Sequence, residues 1–182
     1  FLYWDLKVLA QNLYLDCSVE ASGQCTGERA NGLDGTATTA DDLSDVILGD
    51  RNLNRRGVVT IDDLKAEFHR KGWSNPGYHY VIDTNGGVHQ LLAIEHVSNG
   101  VQGYNSTAIN VAYIGGIDAD GKPIDNRTPA QKDALVLLLH KLKQKFPTAQ
   151  IMGHRDIWGT DKSNWRKMCP CFNAIQEYKD IA

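Results

Sequence analysis

Apolar and polar positions along the chain repeat with two periods, and the alternation between them predicts the elements. The run Leu13-Tyr14-Leu15-Asp16-Cys17 has period two, with Leu13, Leu15 and Cys17 on one face and Tyr14 and Asp16 on the other. A helical period follows Thr60: this residue caps, Asp63 sits in the first turn, and Ile61, Leu64 and Phe68 share a face until Gly72. Tyr78–Asp83 reads as a strand, Thr84-Asn85-Gly86-Gly87 as its turn and Val88–Leu92 as the return strand. Thr107–Gly115 reads as a further buried strand. Thr128-Pro129-Ala130-Gln131 is a capping box with Pro at the first helical position, and it opens a helix striped by Leu135, Leu138, Leu139, Leu142 and Phe146. Pro147 stops that helix, Ala149–Gly153 reads as a strand delivering His154, and Phe172–Ile181 reads as a closing helix. Strands alternating with amphipathic helices predict an α/β protein, one domain over residues 1–182 with a central mixed sheet flanked by helices.

Two stretches carry no such pattern. Residues 1–12 place Leu2, Leu6 and Leu9 at helical spacing, as a short helix or an arm would. Residues 18–57 are rich in Gly, Asp, Asn and Thr and read as a long loop insertion, with one short helix near Ala40–Leu48. The chain begins at Phe1 and not Met, as a processed or truncated chain would.

Composition narrows the function. Nineteen Lys and Arg against 22 Asp and Glu give a net charge of -3, the wrong sign for a protein that grips phosphate backbones, so nucleic acid is not an expected partner. No run of about 18 apolar residues is present, so no membrane span is expected. Four cysteines in 182 residues do not make a disulfide scaffold. Cys17 and Cys25 either close a short loop in an oxidising compartment or stay reduced. Cys169-Pro170-Cys171 follows a His-Arg-Asp segment and precedes the last helix, a placement that suggests a metal ligand.

Six motifs in order then point to a family. They are Gly72-Trp73 with Gly77-Tyr78-His79-Tyr80; Gly103-Tyr104-Asn105; Tyr113-Ile114-Gly115-Gly116-Ile117-Asp118; Thr128-Pro129-Ala130-Gln131; Gly153-His154-Arg155-Asp156; and Lys167-Met168-Cys169-Pro170-Cys171-Phe172. Together they resemble the type-2 N-acetylmuramoyl-L-alanine amidases, which include phage lysozyme-type amidases and peptidoglycan recognition proteins. The resemblance implies a mixed sheet with an open zinc groove. It also implies hydrolysis of the amide between muramic acid and the L-alanine of the stem peptide, with peptidoglycan or muropeptide as the partner. A monomer is the expected working unit. The resemblance carries zinc ligation onto His154 and Cys169, and catalytic roles onto Tyr78 and Lys167.

The first ligand differs. Family members commonly read His-Cys-Ser where this chain reads Asp16-Cys17-Ser18, and a second His that precedes Gly-Tyr-Asn in many members is Gly100 here. Carboxylate oxygen is a legitimate zinc donor, so Asp16 is expected as the third ligand, on the strand face that looks into the groove with Tyr14. Two imidazoles and a thiolate leave zinc a net positive charge, whereas Asp, His and thiolate leave it formally neutral and less able to acidify bound water. Tyr78 is expected to share a face with Tyr80 and to orient the carbonyl or the water, and Lys167 to stabilise the oxyanion. Asp156 is expected to fix the loop or orient an imidazole. His69 and His79 read as packing residues, and His89, His96 and His140 as residues outside the site. The alternative reading is a module of the same fold that binds muropeptide without cutting it.

Overall fold

The computed structural model describes residues 12–17, 60–120 and 122–181, the first group by backbone alone. The expectations for residues 1–11 and 18–57, and for a Cys17–Cys25 loop, lie outside the described residues.

Five strands form one mixed sheet: β1 (Asn12–Cys17), β2 (Tyr80–Ile82), β3 (Val88–Gln90), β4 (Ala108–Tyr113) and β5 (Gln150–Gly153), in the order β3-β2-β4-β1-β5. Strand β1 lies parallel between β4 and β5, β2 is parallel to β4, and β3 closes one edge antiparallel to β2. Residues of β4 are buried along its whole length, as a strand covered on both faces must be.

Helix α1 (Ile61–Arg70) covers one face and α2 (Pro129–Lys145) the other. Both start as their sequences dictate. The Thr60 side chain accepts from the Asp63 amide while Asp63 accepts in return, and Thr128 and Gln131 make the same reciprocal pair. Gln131 does more than cap. Its buried Nε2 donates to the Ile114 and Ile82 carbonyls, fastening the start of α2 to the ends of β4 and β2.

The two faces hold separate cores. Ile109, Val111 and Tyr113 of β4 pack with Leu135, Leu138, Leu139 and Leu142 of α2. Ala112 and Ile114 pack with Leu64, Phe68, Tyr78 and Val81 on the α1 side.

Two expectations need correction. Tyr78 does not continue the face of Tyr80: β2 begins at Tyr80, Tyr78 packs with the α1 core, and Tyr80 leans on the α2 core. The strand starts late because Tyr78 is drawn against Phe68, with ring centroids 5.7 Å apart, over a Gly77 that has no room for a side chain there. The closing helix is one turn, α3 (Ala174–Glu177), and not Phe172–Ile181. Its start is set by the Asn173 side chain, which accepts from the Gln176 amide. Its end is pinned by buried Arg127, which donates to Glu177, to the Tyr178 hydroxyl and to Asp125, and lies 3.2 Å over the Phe172 ring. Burial alone would lower the Arg127 pKa, but its bonds to Asp125 and Glu177 leave it raised.

Candidate metal and catalytic site

The carboxyl ends of β1 and β5 are neighbours. Their last paired rung is Leu15 with Gly153; Asp16 is the next residue of β1, and His154 the first residue after β5. Asp16 is also in register with Ala112 of β4. In open α/β sheets the carboxyl ends of the strands are where ligands collect.

His154 opens a short 3₁₀ turn, His154–Trp158. Its ring is 4% exposed and stacks on Trp158 with centroids 5.6 Å apart. The Asp156 carboxylate accepts the Gly153 amide at 2.7 Å, so it fixes this turn, as one of its two expected roles required.

The Cys169-Pro170-Cys171 segment is seated on that strand end. The Arg155 amide donates to the Cys169 carbonyl at 2.9 Å, the Tyr113 hydroxyl donates to the Pro170 carbonyl at 2.8 Å, and Gly153 lies so close to the Pro170 ring that no Cβ fits between them. The motif carrying His154 and the motif carrying Cys169 thus meet, although 15 residues separate them in sequence (169 − 154). Cys169 is fully buried and disulfide-bonded, and its partner lies outside the described side chains. The Cys171 thiol donates to the Gly116 carbonyl at 3.3 Å.

Zinc takes imidazole nitrogen, carboxylate oxygen and thiolate sulfur. A disulfide sulfur is not a thiolate, so Cys169 does not fit as a ligand in this oxidation state. Among the described residues no group of three His, Cys, Asp or Glu side chains is arranged to hold a metal. Once Cys169 is reduced, His154, Asp16 and Cys169 have the donor chemistry that zinc takes.

Tyr78 is 3% exposed and belongs to the cluster that contains Ala112, the register partner of Asp16. A stack leads to it from outside: Lys71 lies 4.8 Å over the Trp73 ring, Trp73 stacks on Phe68, and Phe68 meets Tyr78 edge-on. Lys167 is half-buried, and its positive charge repels that of Lys71.

The sequence reading missed this Lys71 cluster. Buried Glu67 binds Arg70 through both carboxylate oxygens and lies 3.7 Å from the Lys71 ammonium. Burial lowers the Lys71 pKa, Glu67 acts against that, and Lys167 adds to it. The spacing of Glu67 and Lys71, one helical turn apart, was the signal available in the sequence.

The remaining histidines are accounted for. His79 is buried, its Nδ1 accepts the Asn110 amide, and Nε2 therefore carries the proton donated to the His96 carbonyl. Burial lowers its pKa, and with both nitrogens engaged it is no ligand. His69 is exposed and not packed as expected, and His96 and His140 are also exposed, while His89 bonds Asp83 at 2.7 Å. At Gly100 a Cβ would stand 2.6 Å from the Asn110 amide carbon and 2.8 Å from the Gly77 carbonyl, so the His of other family members has no room there. Asn110 occupies that space, donating to Ser98 at 2.6 Å, and its buried Oδ1 has no hydrogen-bond partner among the described residues.

Comparison with known proteins bears on the family and the fold. The family model described as N-acetylmuramoyl-L-alanine amidase matches residues 36–172. The endolysin of Enterobacteria phage K11 is 37% identical over 115 residues, 63% of this chain and 72% of that protein. Among solved structures, the endolysin N-acetylmuramoyl-L-alanine amidase LysCS of Clostridium intestinale superposes with a TM-score of 0.57 at 17% identity, over 96% of this chain and 84% of that one. Human PGRP-IBETAC, solved with glycosamyl muramyl pentapeptide, gives 0.56 at 16% identity over 96% and 84%. At such identities these two likenesses speak for the fold.

Proposed function

The chain belongs to the N-acetylmuramoyl-L-alanine amidase family, and on that premise we propose that it hydrolyses the amide joining muramic acid to the L-alanine of the peptidoglycan stem, with zinc held by Asp16, His154 and reduced Cys169. The observation that carries the reading is the meeting of the His154 and Cys169 motifs at the carboxyl ends of β5 and β1. When bound, zinc supplies a Lewis acid that polarises the scissile carbonyl and acidifies water.

The residues divide the remaining work. The Lys167 ammonium stabilises the negative charge that develops on the carbonyl oxygen. The Tyr78 hydroxyl orients that carbonyl or the incoming water, held by Phe68 and the α1 core. Water adds to the lactyl carbonyl carbon, the carbon–nitrogen bond breaks, and the L-alanine nitrogen leaves with a proton as a free amine. Trp158 stacked on His154 and the Asp156 bond to Gly153 keep the imidazole from swinging as substrate arrives.

A clearing assay on purified peptidoglycan tests this reading. Clearing by the reduced chain with zinc, its loss with a chelator and its return with added zinc are expected; chelator-insensitive clearing contradicts it. A second reading, muropeptide binding without cleavage, is favoured by one observation: the Cys169 sulfur is oxidised. Sedimentation with peptidoglycan but no clearing in any redox state would select it.

A further inference from the structure

Among the described residues, Arg155 carries a charge with no hydrogen-bonded counter-ion. Its side chain is 10% exposed, and its Nε is buried without a hydrogen-bond partner. The guanidinium lies 4.3 Å over the Trp165 ring, and the Trp165 indole nitrogen donates to the Gly159 carbonyl at 2.8 Å, which fixes that platform. One carboxylate comes near: Asp156 Oδ1 stands 3.9 Å from Nε, beyond hydrogen-bond reach, while its other oxygen accepts the Gly153 amide. Asp161, the other acid of this stretch, accepts from the amide and the hydroxyl of Ser163. Residues 155–167 hold Arg155, Lys162, Arg166 and Lys167 against Asp156 and Asp161, a net of +2 (4 − 2) in a chain of net charge -3. A guanidinium cannot shed its proton to relieve burial, so its charge calls for an anionic partner.

We propose that Arg155, stacked on Trp165, is the seat of a carboxylate of the stem peptide. The planar N–H fork receives the two oxygens that no described side chain supplies. The place suits a peptide bound for cleavage. Arg155 follows His154 directly and its amide donates to the Cys169 carbonyl, while Trp165 precedes Lys167 by two residues. The pair is thus tied on both sides to residues proposed to act on the amide. Once the lactyl group is amidated, the carboxylates near the scissile bond belong to the stem peptide, so the preference falls on the leaving group and not on the glycan. The inference rests on the amidase reading for the identity of that peptide.

The test uses the full chain and a free stem tripeptide, which has no muramyl amide left to cut. Isothermal titration calorimetry compares the peptide with its carboxylates free against the same peptide with them amidated. The parent chain is expected to bind the carboxylate form about tenfold more tightly. Arg155→Met should bring that ratio to about one, and Arg155→Lys to about threefold, since an ammonium lacks the fork. Far-ultraviolet circular dichroism and a cooperative melt check folding. Equal affinities in the parent, or binding of neither peptide, overturn the inference, and so does an undiminished ratio in folded Arg155→Met. Should Arg155→Met fail to fold, an undiminished ratio in Arg155→Lys overturns it just the same. The clearing assay judges the amidase reading separately. Clearing with equal affinities leaves the amidase without this seat, and a ratio lost in Arg155→Met without any clearing leaves the seat on a module that binds and does not cut.

Discussion

Gly153→Ala should loosen the seat of Cys169 without touching a proposed ligand. Gly153 has φ −83° and ψ 159°, an extended conformation that alanine adopts freely, so the backbone itself imposes no penalty. The obstacle is space. An added Cβ would fall on Pro170 Cδ, and it would also stand 3.2 Å from Pro170 Cγ and 3.1 Å from an Asp156 carboxylate oxygen. A proline ring cannot swing aside as a flexible side chain does, so the 169–171 segment must move as a body. Overpacking of this kind costs about 1–3 kcal/mol. The movement also stretches the bonds from Tyr113 to the Pro170 carbonyl and from the Arg155 amide to the Cys169 carbonyl, each worth about 1 kcal/mol. A total of about 2–4 kcal/mol lowers Tm by roughly 5–15 °C in a chain of this size. Differential scanning calorimetry at pH 7 measures it, and zinc uptake by the reduced variant should fall in parallel. A Tm within about 2 °C of the parent would refute the claim that Pro170 is seated on this glycine.

Three other outcomes follow from the same structure. Arg127→Met leaves the Asp125 and Glu177 carboxylates facing each other across an apolar side chain, and should cost about 2–3 kcal/mol by denaturant titration, less than a fully buried pair because both carboxylates are partly exposed. The Arg127 hydrogen bonds hold the Asp125 pKa below the usual carboxylate range. The associated stability is therefore present above the unfolded pKa and lost as pH falls through the folded one, and the variant should show a flatter acid limb. Burial lowers the His79 pKa, so the unfolded chain takes up the proton first; stability should begin to fall as pH drops below about 6.5, and a His79→Gln variant should lack that component of the Tm–pH curve. Tyr78→Phe and Lys167→Ala should each keep bound zinc and reduce turnover by about a hundredfold or more; full turnover in either would remove that residue from the mechanism.

Much of this was legible in the chain. The two capping boxes at Thr60 and Thr128 fix where α1 and α2 begin because the cap is a local contact between residues three apart. The alternation in Leu13–Cys17 gave a strand that the sheet places beside β4 and β5. What failed was set by long-range packing. Tyr78 leaves the face of Tyr80 because Phe68 of α1 draws it in, and no periodicity in 78–83 records that. The last helix shrinks to one turn because Arg127, some 50 residues earlier, claims Glu177 and Tyr178. The site was legible in parts. The motifs named His154 and Cys169, and the fold supplies their meeting. The oxidation state of Cys169 is not written in its spacing, since a disulfide depends on a cysteine brought close by the fold. The loss of the usual His at Gly100, in a loop, has its counterpart in Asn110, which occupies that space from strand β4.

The bond cut in peptidoglycan distinguishes an amidase from a glycosidase or an endopeptidase. Purified peptidoglycan is digested with the reduced, zinc-loaded chain, and the soluble products are resolved by mass spectrometry with parallel counts of new amino termini and new reducing sugars. Intact stem peptides beginning with a free L-alanine amine, glycan released without peptide, and no increase in reducing ends are expected. New reducing ends, or peptides cut within the stem while L-alanine stays attached to muramic acid, would contradict the amidase reading.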